Sequence, residues 1–255
     1  MALNPKTNVY TQRASAIYKE NIKIIFLLAA LTAVLEIVFD ALGNNSDGIV
    51  GLIIMIVRII VTAPLLICTY HVYTRAINGK STSADFVFTW LTNISRIKNG
   101  AEAEIRITIK AIGWYIVYAV IVVFSAFLGP LSFIGIAGGF IFLAYMLLRY
   151  NGALYECAAN PDYDVKQMVE FGIDKLKVCM GEYVNLWLAS ALPAILIITV
   201  LEMFLAQSWV VHIIRILSFI VLDLFILPRF HIAGIMLYND GYMVPVTQAR
   251  EDFEM

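Results

Sequence analysis

Residues 107–151 read ITIKAIGWYIVYAVIVVFSAFLGPLSFIGIAGGFIFLAYMLLRYN, two apolar stretches over 107–128 and 131–151 parted by Gly129-Pro130. About 20 such residues, rising 1.5 Å each in a helix, cross a hydrocarbon core about 30 Å thick. Proline cannot continue the hydrogen-bond ladder of a preceding helix, so Gly129-Pro130 reads as a tight turn. The segment is therefore a transmembrane hairpin.

The same pattern extends to both sides. Further apolar stretches run over 22–42, 49–77, 183–206 and 209–238. Gly43–Gly48 and Gln207–Ser208 are again short turns, whereas Asn78–Arg106 and Gly152–Glu182 are long and polar. The pattern predicts an all-α fold: a polytopic transmembrane bundle of six helices in three hairpins, within a single integral membrane domain over residues 1–255. Glu36 and Asp40 interrupt what would be the end of a signal-peptide core, so the first stretch reads as a retained span.

Composition agrees with this class. The chain has 255 residues, 61% hydrophobic and 15% charged, against about 45–50% and about 25% for soluble domains. A formal net charge of −1 gives no basic excess of the kind that binds nucleic acid. Cys68, Cys157 and Cys179 match no zinc spacing and read as small apolar side chains.

Basic residues set the orientation. Lys6, Arg13, Lys19, Lys23, Arg75, Lys80, Arg96, Lys98, Arg106, Lys110, Arg149, Lys166, Lys175, Lys177 and Arg250 fall on the side of the long connections, and none lies in a short turn. Positive charge collects on the cytoplasmic side, so both termini and both long connections are expected there, in a cell membrane. Trp90, Trp114, Trp187 and Trp209 fall near the expected interfaces, where aromatic belts form.

Both long connections carry helical periodicity. Phe86, Trp90, Ile94 and Ile97 predict an amphipathic helix over about 83–98. Val165, Met168, Val169, Ile173, Leu176 and Met180 predict another over about 164–181. Such helices either lie in the headgroup layer or pack beneath the bundle. The even stretches end in YHVYTRAINGK, YNGALYECAANPD and RFHIAGIMLYNDG, and Asn78, Asn160 and Asn239 stand about 80 residues apart, a faint repeat that common helix-stop chemistry also explains.

The candidate functional residues are ionisable groups inside apolar stretches, where each is costly and marks a site or a buried partner. Glu36 and Asp40 share one face of the first stretch. With Arg58, Glu202, His212 and Arg215 they form an expected layer in the outer half of the bilayer, in which two guanidinium forks can bridge three carboxylates. Asp223, Arg229 and His231 form a deeper set around Pro228, which is expected to kink the last stretch and free a carbonyl for a nearby donor. Paired charges that fix helix positions, and a polar path or headgroup site, are both consistent with this outer layer. Gly135, Gly138 and Gly139 suit close helix approach, within the chain or between copies.

No HExxH, GxSxG or phosphate-loop pattern occurs, and the three histidines suggest no metal site. No catalytic residue, cofactor or metal is therefore expected. The leading expectation is a non-catalytic accessory, regulatory or immunity-type component of a membrane system. Its expected contacts are membrane lipids and either a membrane protein partner or a second copy. The other is a small transporter or lipid-handling protein working through the outer charged layer.

The layout resembles a bacterial integral-membrane family, domain of unknown function nine-seven-five, and more distantly the membrane domain of some glycerophosphodiester phosphodiesterases. The resemblance rests on ASAIYKENIKIIF entering the first span and TRAINGKSTSADFVFTWL leaving the second. It rests also on YNGALYECAANPDYDVKQMVEFGIDKLKVCMGEYVNLW after the fourth. It implies six helices in a bacterial membrane protein of no established activity, and supplies no catalytic residue.

Overall fold

The structure, a computed structural model, describes residues 5–43, 48–127, 129, 132–197 and 220–251. Among these residues there are ten α-helices, one π-helical segment and no strand. The helices are α1 (Pro5–Glu20), α2 (Ile22–Gly43), α3 (Gly48–Ile77), α4 (Ala84–Leu91) and α5 (Ile94–Ala126). They continue with α6 (Ser132–Leu148), α7 (Tyr150–Ala159), α8 (Val165–Val178), α9 (Met180–Ser190) and α10 (Leu227–Glu251), which follows the π segment Ile220–Ile226. Among the described residues, four helical stretches are long and apolar enough to cross a membrane: α2, α3, α5, and α6 running with α7 over Ser132–Ala159. They suggest a membrane protein.

Local chemistry sets the helix ends. α3 stops in a Schellman motif, with Lys80 N–H on Arg75 O at 2.9 Å and Gly79 N–H on Ala76 O at 3.1 Å. Gly79 supplies the positive φ of 68° that this turn needs. Ser83, Asn93 and Asp164 cap α4, α5 and α8 with side-chain oxygens that accept backbone N–H bonds.

Asn93 changes one expectation. The predicted helix over 83–98 is split at Thr92, because the Asn93 side chain accepts from Ser95 and Arg96 and starts a new helix. That helix is α5, and it runs without a break from Ile94 into the apolar stretch predicted to start at 107. Trp90 of the predicted stripe is buried, but Ile94 is 81% exposed, since it opens the next helix and leaves the stripe. The second amphipathic helix is seen as α8, and its stripe residues Val165, Val169, Ile173 and Leu176 are buried. α8 packs tightly on α7, so its apolar face makes protein contacts.

Burial is uneven along the long helices. The buried core gathers Ile24, Ile25 and Leu28 of α2 with Leu65 to Ala76 of α3 and Ala103 and Ile107 of α5. α7, α8 and α9 join it, as do Phe230 to Tyr238 of α10. All of these lie toward the end of the bundle that carries the long connections. In the most apolar window of each candidate span, only 6% to 22% of residues are buried. Ile49, Leu52, Met55, Ile116, Phe124, Phe133 and Ile141 are all more than half exposed. Exposed apolar faces of this extent are costly in water and ordinary in lipid.

The last helix is joined to the first. α1 packs along α10, and the π segment ends just before Pro228. Proline has no N–H to offer the carbonyl four residues back, that of Leu224. The Tyr18 hydroxyl donates to this carbonyl at 2.7 Å, and the Arg229 guanidinium lies over the Tyr18 ring at 4.7 Å. Burial pushes the Tyr18 phenol up, an effect Arg229 partly offsets, so the donor keeps its proton. Tyr18→Phe retains the ring and leaves a buried carbonyl unpaired. The expected loss of stability is about 1–3 kcal/mol, read as a lower thermal midpoint in detergent. An unchanged midpoint would show that the carbonyl finds another donor.

Candidate functional site

Of the outer layer, the structure brings two members together. Arg58 of α3 donates through Nη2 to Oε2 of Glu36 on α2, pairing the two helices of the first hairpin. Both side chains are more than a third exposed, on helices whose neighbouring surface is apolar. Asp40 lies on α2, but its side chain is outside the described residues, as are Glu202, His212 and Arg215 altogether.

In an apolar surrounding, removing one partner strands a charge, while removing both does not. Arg58→Gln strands the Glu36 carboxylate and is expected to lower stability by about 2 kcal/mol, and adding Glu36→Gln should recover part of that loss. Additive losses in a double-mutant cycle would show that the pair contributes no coupling.

The deeper set behaves differently. Arg229 stacks on Tyr18 as described, and His231 enters a buried aromatic hub; the Asp223 side chain is outside the described ones. His231 Nδ1 lies 3.0 Å from the Tyr155 hydroxyl and Nε2 lies 3.4 Å from the Tyr70 hydroxyl. Tyr155 in turn meets the Tyr183 hydroxyl at 2.8 Å. The rings pack edge to face, Tyr70 on Tyr155 at 5.4 Å and Tyr155 on Tyr238 at 5.9 Å between centroids. α3, α7, α9 and α10 are thus held by one network. Gly234 makes room for it, since a Cβ there would stand 2.9 Å from the Tyr155 oxygen.

A carboxylate that the sequence reading did not single out anchors the adjacent cluster. Glu156 of α7 is buried and accepts from the Tyr238 hydroxyl at 2.5 Å and from Asn160 Nδ2 at 2.7 Å. Lys175 of α8 lies 3.5 Å from the same carboxylate and 4.0 Å from the centre of the Tyr238 ring. The one sequence signal was the position of Glu156 four residues before Asn160 inside the small-residue run YECAA, which puts both on one helix face.

The chemistry of these groups is mutual satisfaction. A hydrogen-bonded chain of one histidine and three tyrosines is able to pass a proton, but its two ends, Tyr70 and Tyr183, both lie in the packed interior. Among the described residues no three His, Cys, Asp or Glu side chains are placed to hold a metal ion. The hub and the Glu156 cluster therefore fit a lock between helices.

Open space lies to one side of this lock. A cavity of about 540 Å³ opens between α5, the α6–α7 junction and α8, lined by Lys110, Trp114, Arg149, Tyr150, Asp174 and Lys177 among others. A recess of about 150 Å³ adjoins it, sharing Lys110 and Glu170 and adding Arg106 and Lys166. Compared with known proteins, the chain matches no family model, no curated protein and no solved structure.

Proposed function

We propose that the chain is a six-span protein of a bacterial cell membrane that acts as a non-catalytic accessory, regulatory or immunity-type component. Its anchor is the lipid-exposed part of the helices, and its working part is the packed platform formed by α1, α4, α7, α8, α9 and the inner ends of α3, α5 and α10. The observation that carries this reading is the distribution of burial: the core collects at the end with the long connections, while the apolar windows are sparsely buried. Basic residues mark that same end and favour a cytoplasmic platform. A transporter reading needs a charged layer open to a polar path; the pairing of Glu36 with Arg58 favours a structural role for the part that is described.

The test is extraction of the full chain in a mild detergent, followed by mass spectrometry of what co-purifies. A membrane protein at a fixed stoichiometry is the expected result. A lone chain that carries a defined small molecule would overturn the accessory reading in favour of a carrier. Orientation is tested through single cysteines replacing Lys80 or Asp162, because the three native thiols are buried and give little background. Both should react with an impermeant maleimide only when the inner face is opened.

A further inference from the structure

The cavity beside the lock has the chemistry of a headgroup site. Its α5 wall passes from Lys110 through Trp114 to Val117, that is, from a cation through an interfacial aromatic to a lipid-exposed apolar side chain. Above it, Trp114 packs edge to face on Phe142 of α6 at 5.6 Å, and Phe142 and Val117 are both exposed. The cavity thus straddles the level at which the helices leave the apolar layer.

Its charge is unbalanced toward the positive. Lys110, Arg149 and Lys177 face Glu170 and Asp174, and the adjoining recess adds Arg106 and Lys166. Lys177 pairs with Asp174 and Arg106 with Glu102. Asp174 is held below the usual carboxylate range by its hydrogen bond to Lys177, with Arg149 and Lys110 adding to the effect. All three cations therefore act on one point.

Arg149 supplies a second observation. Among the described residues its buried Nε has no hydrogen-bond partner, and the guanidinium donates to the Met146 sulfur at 3.5 Å. Arg75, Arg96 and Arg229 also have an Nε that makes no hydrogen bond, but each lies over an aromatic face, of Phe86, Trp90 and Tyr18 respectively, and Arg96 Nε also pairs with Asp162 at 3.7 Å. Among the described residues Arg149 makes no ion pair within 4 Å and lies over no ring, and it lines an open cavity.

We propose that this cavity binds the headgroup of an anionic glycerophospholipid from the leaflet on the side of the long connections, with the phosphate between Lys110 and Arg149 and the acyl chains along Val117 and Phe142. The inference rests on the spans lying in a bilayer and is independent of the accessory role. A phosphodiester suits the site because guanidinium and ammonium groups donate to its oxygens, while the apolar upper wall offers acyl chains a surface and a freely soluble ion no partner.

The experiment uses the full chain, purified and delipidated in detergent, with a fluorescent phosphatidylglycerol as probe. Unlabelled dioleoyl phosphatidylglycerol should displace the probe at least about tenfold better than dioleoyl phosphatidylcholine. Lys110→Gln with Arg149→Gln should weaken binding about 30-fold, the size expected when two cations near an anionic surface are lost. Lys80→Gln with Lys98→Gln, the same charge removed elsewhere on that side, should leave it unchanged. Lys110→Gln alone alters an exposed side chain and gives an intermediate loss if the paired variant does not fold. Equal displacement by the two lipids, equal loss in the control pair, or displacement by millimolar inorganic phosphate would each overturn the proposal. Carbonate extraction of native membranes tests the bilayer reading separately.

Discussion

Replacing Gly152 by alanine is expected to force α8 away from α7 and to cost about 3 kcal/mol or more. A Cβ at Gly152 would stand 2.2 Å from the Gly172 carbonyl oxygen and 2.7 Å from the Leu176 Cβ. The reverse substitution at Gly172 meets the Gly152 oxygen at 2.3 Å. Adding a methylene to a packed core costs about 1–3 kcal/mol when side chains can shift. Here the obstructing atoms are backbone, so the helices themselves must part, and the cost falls at or above the top of that range. Gly181→Ala is the matched control, since nothing lies within 4 Å of its Cβ position and helix propensity alone favours alanine by about 1 kcal/mol. Cys179, just beyond α8, reports the separation. Its thiol is buried and pushed up to about 11 by desolvation, so it should alkylate slowly in the native protein and rapidly in Gly152→Ala. Equal alkylation rates in the two proteins would mean that α7 and α8 do not cross this closely in solution.

The two glycines also show what the sequence could and could not reveal. Apolar length is set residue by residue, so the long stretches around Gly129-Pro130 were plain, and so were polar stops such as the one at Asn78. The stripe from Val165 to Leu176 was equally plain, but a stripe does not name what covers it. The cover is α7, and the crossing depends on glycines 20 residues apart that no local pattern joins. Asn93 was harder, because a cap that divides two helices competes with a side-chain period that continues across it. The period suggested one helix, and the hydrogen bonds to Ser95 and Arg96 made two.

The polar interior follows the same division. Cost in lipid singled out Glu36, Arg58, Arg229 and His231 one at a time, and the freed carbonyl near Pro228 follows from proline chemistry alone. The partners of these groups are tertiary. Tyr18 is 206 residues from Leu224 and Tyr70 is 161 from His231, distances at which sequence spacing carries no signal. Tyr70 and His231 each stand eight residues before an asparagine of the faint repeat, and in the fold they touch. The equivalent place in the middle segment is Gly152, where α8 comes in instead of a third ring. Glu156 escaped notice because a single carboxylate near a helix end looks like a solvated charge; Tyr238, Asn160 and Lys175 make it a buried one.

Glu156→Ala is the second substitution expected to have a large effect, a loss of about 3–5 kcal/mol, the range for removing one partner from a buried ion pair. The carboxylate is the point at which α7, α8 and α10 meet. It accepts two hydrogen bonds and faces the Lys175 ammonium. Its loss leaves the Tyr238 hydroxyl without an acceptor and a mostly buried cation without its counter-charge. Charge and shape separate through further variants. Glu156→Gln keeps a carbonyl for one of the two donors and should fall between wild type and alanine. Lys175→Met removes the cation but keeps a stem able to pack on Tyr238, and combined with Glu156→Gln it should recover part of the loss, because no isolated charge remains. Denaturant unfolding in micelles reads all four proteins on one scale. If Glu156→Ala costs no more than about 0.5 kcal/mol, the usual ceiling for a surface side chain, then Glu156 is solvated and does not join the three helices. The proposed platform depends on that junction, because Tyr238 ties α10 to the Glu156–Lys175 pair of α7 and α8, beside the link that His231 makes to α7. A variant that keeps its helices but frees α10 should therefore lose any co-purifying partner while remaining in the membrane.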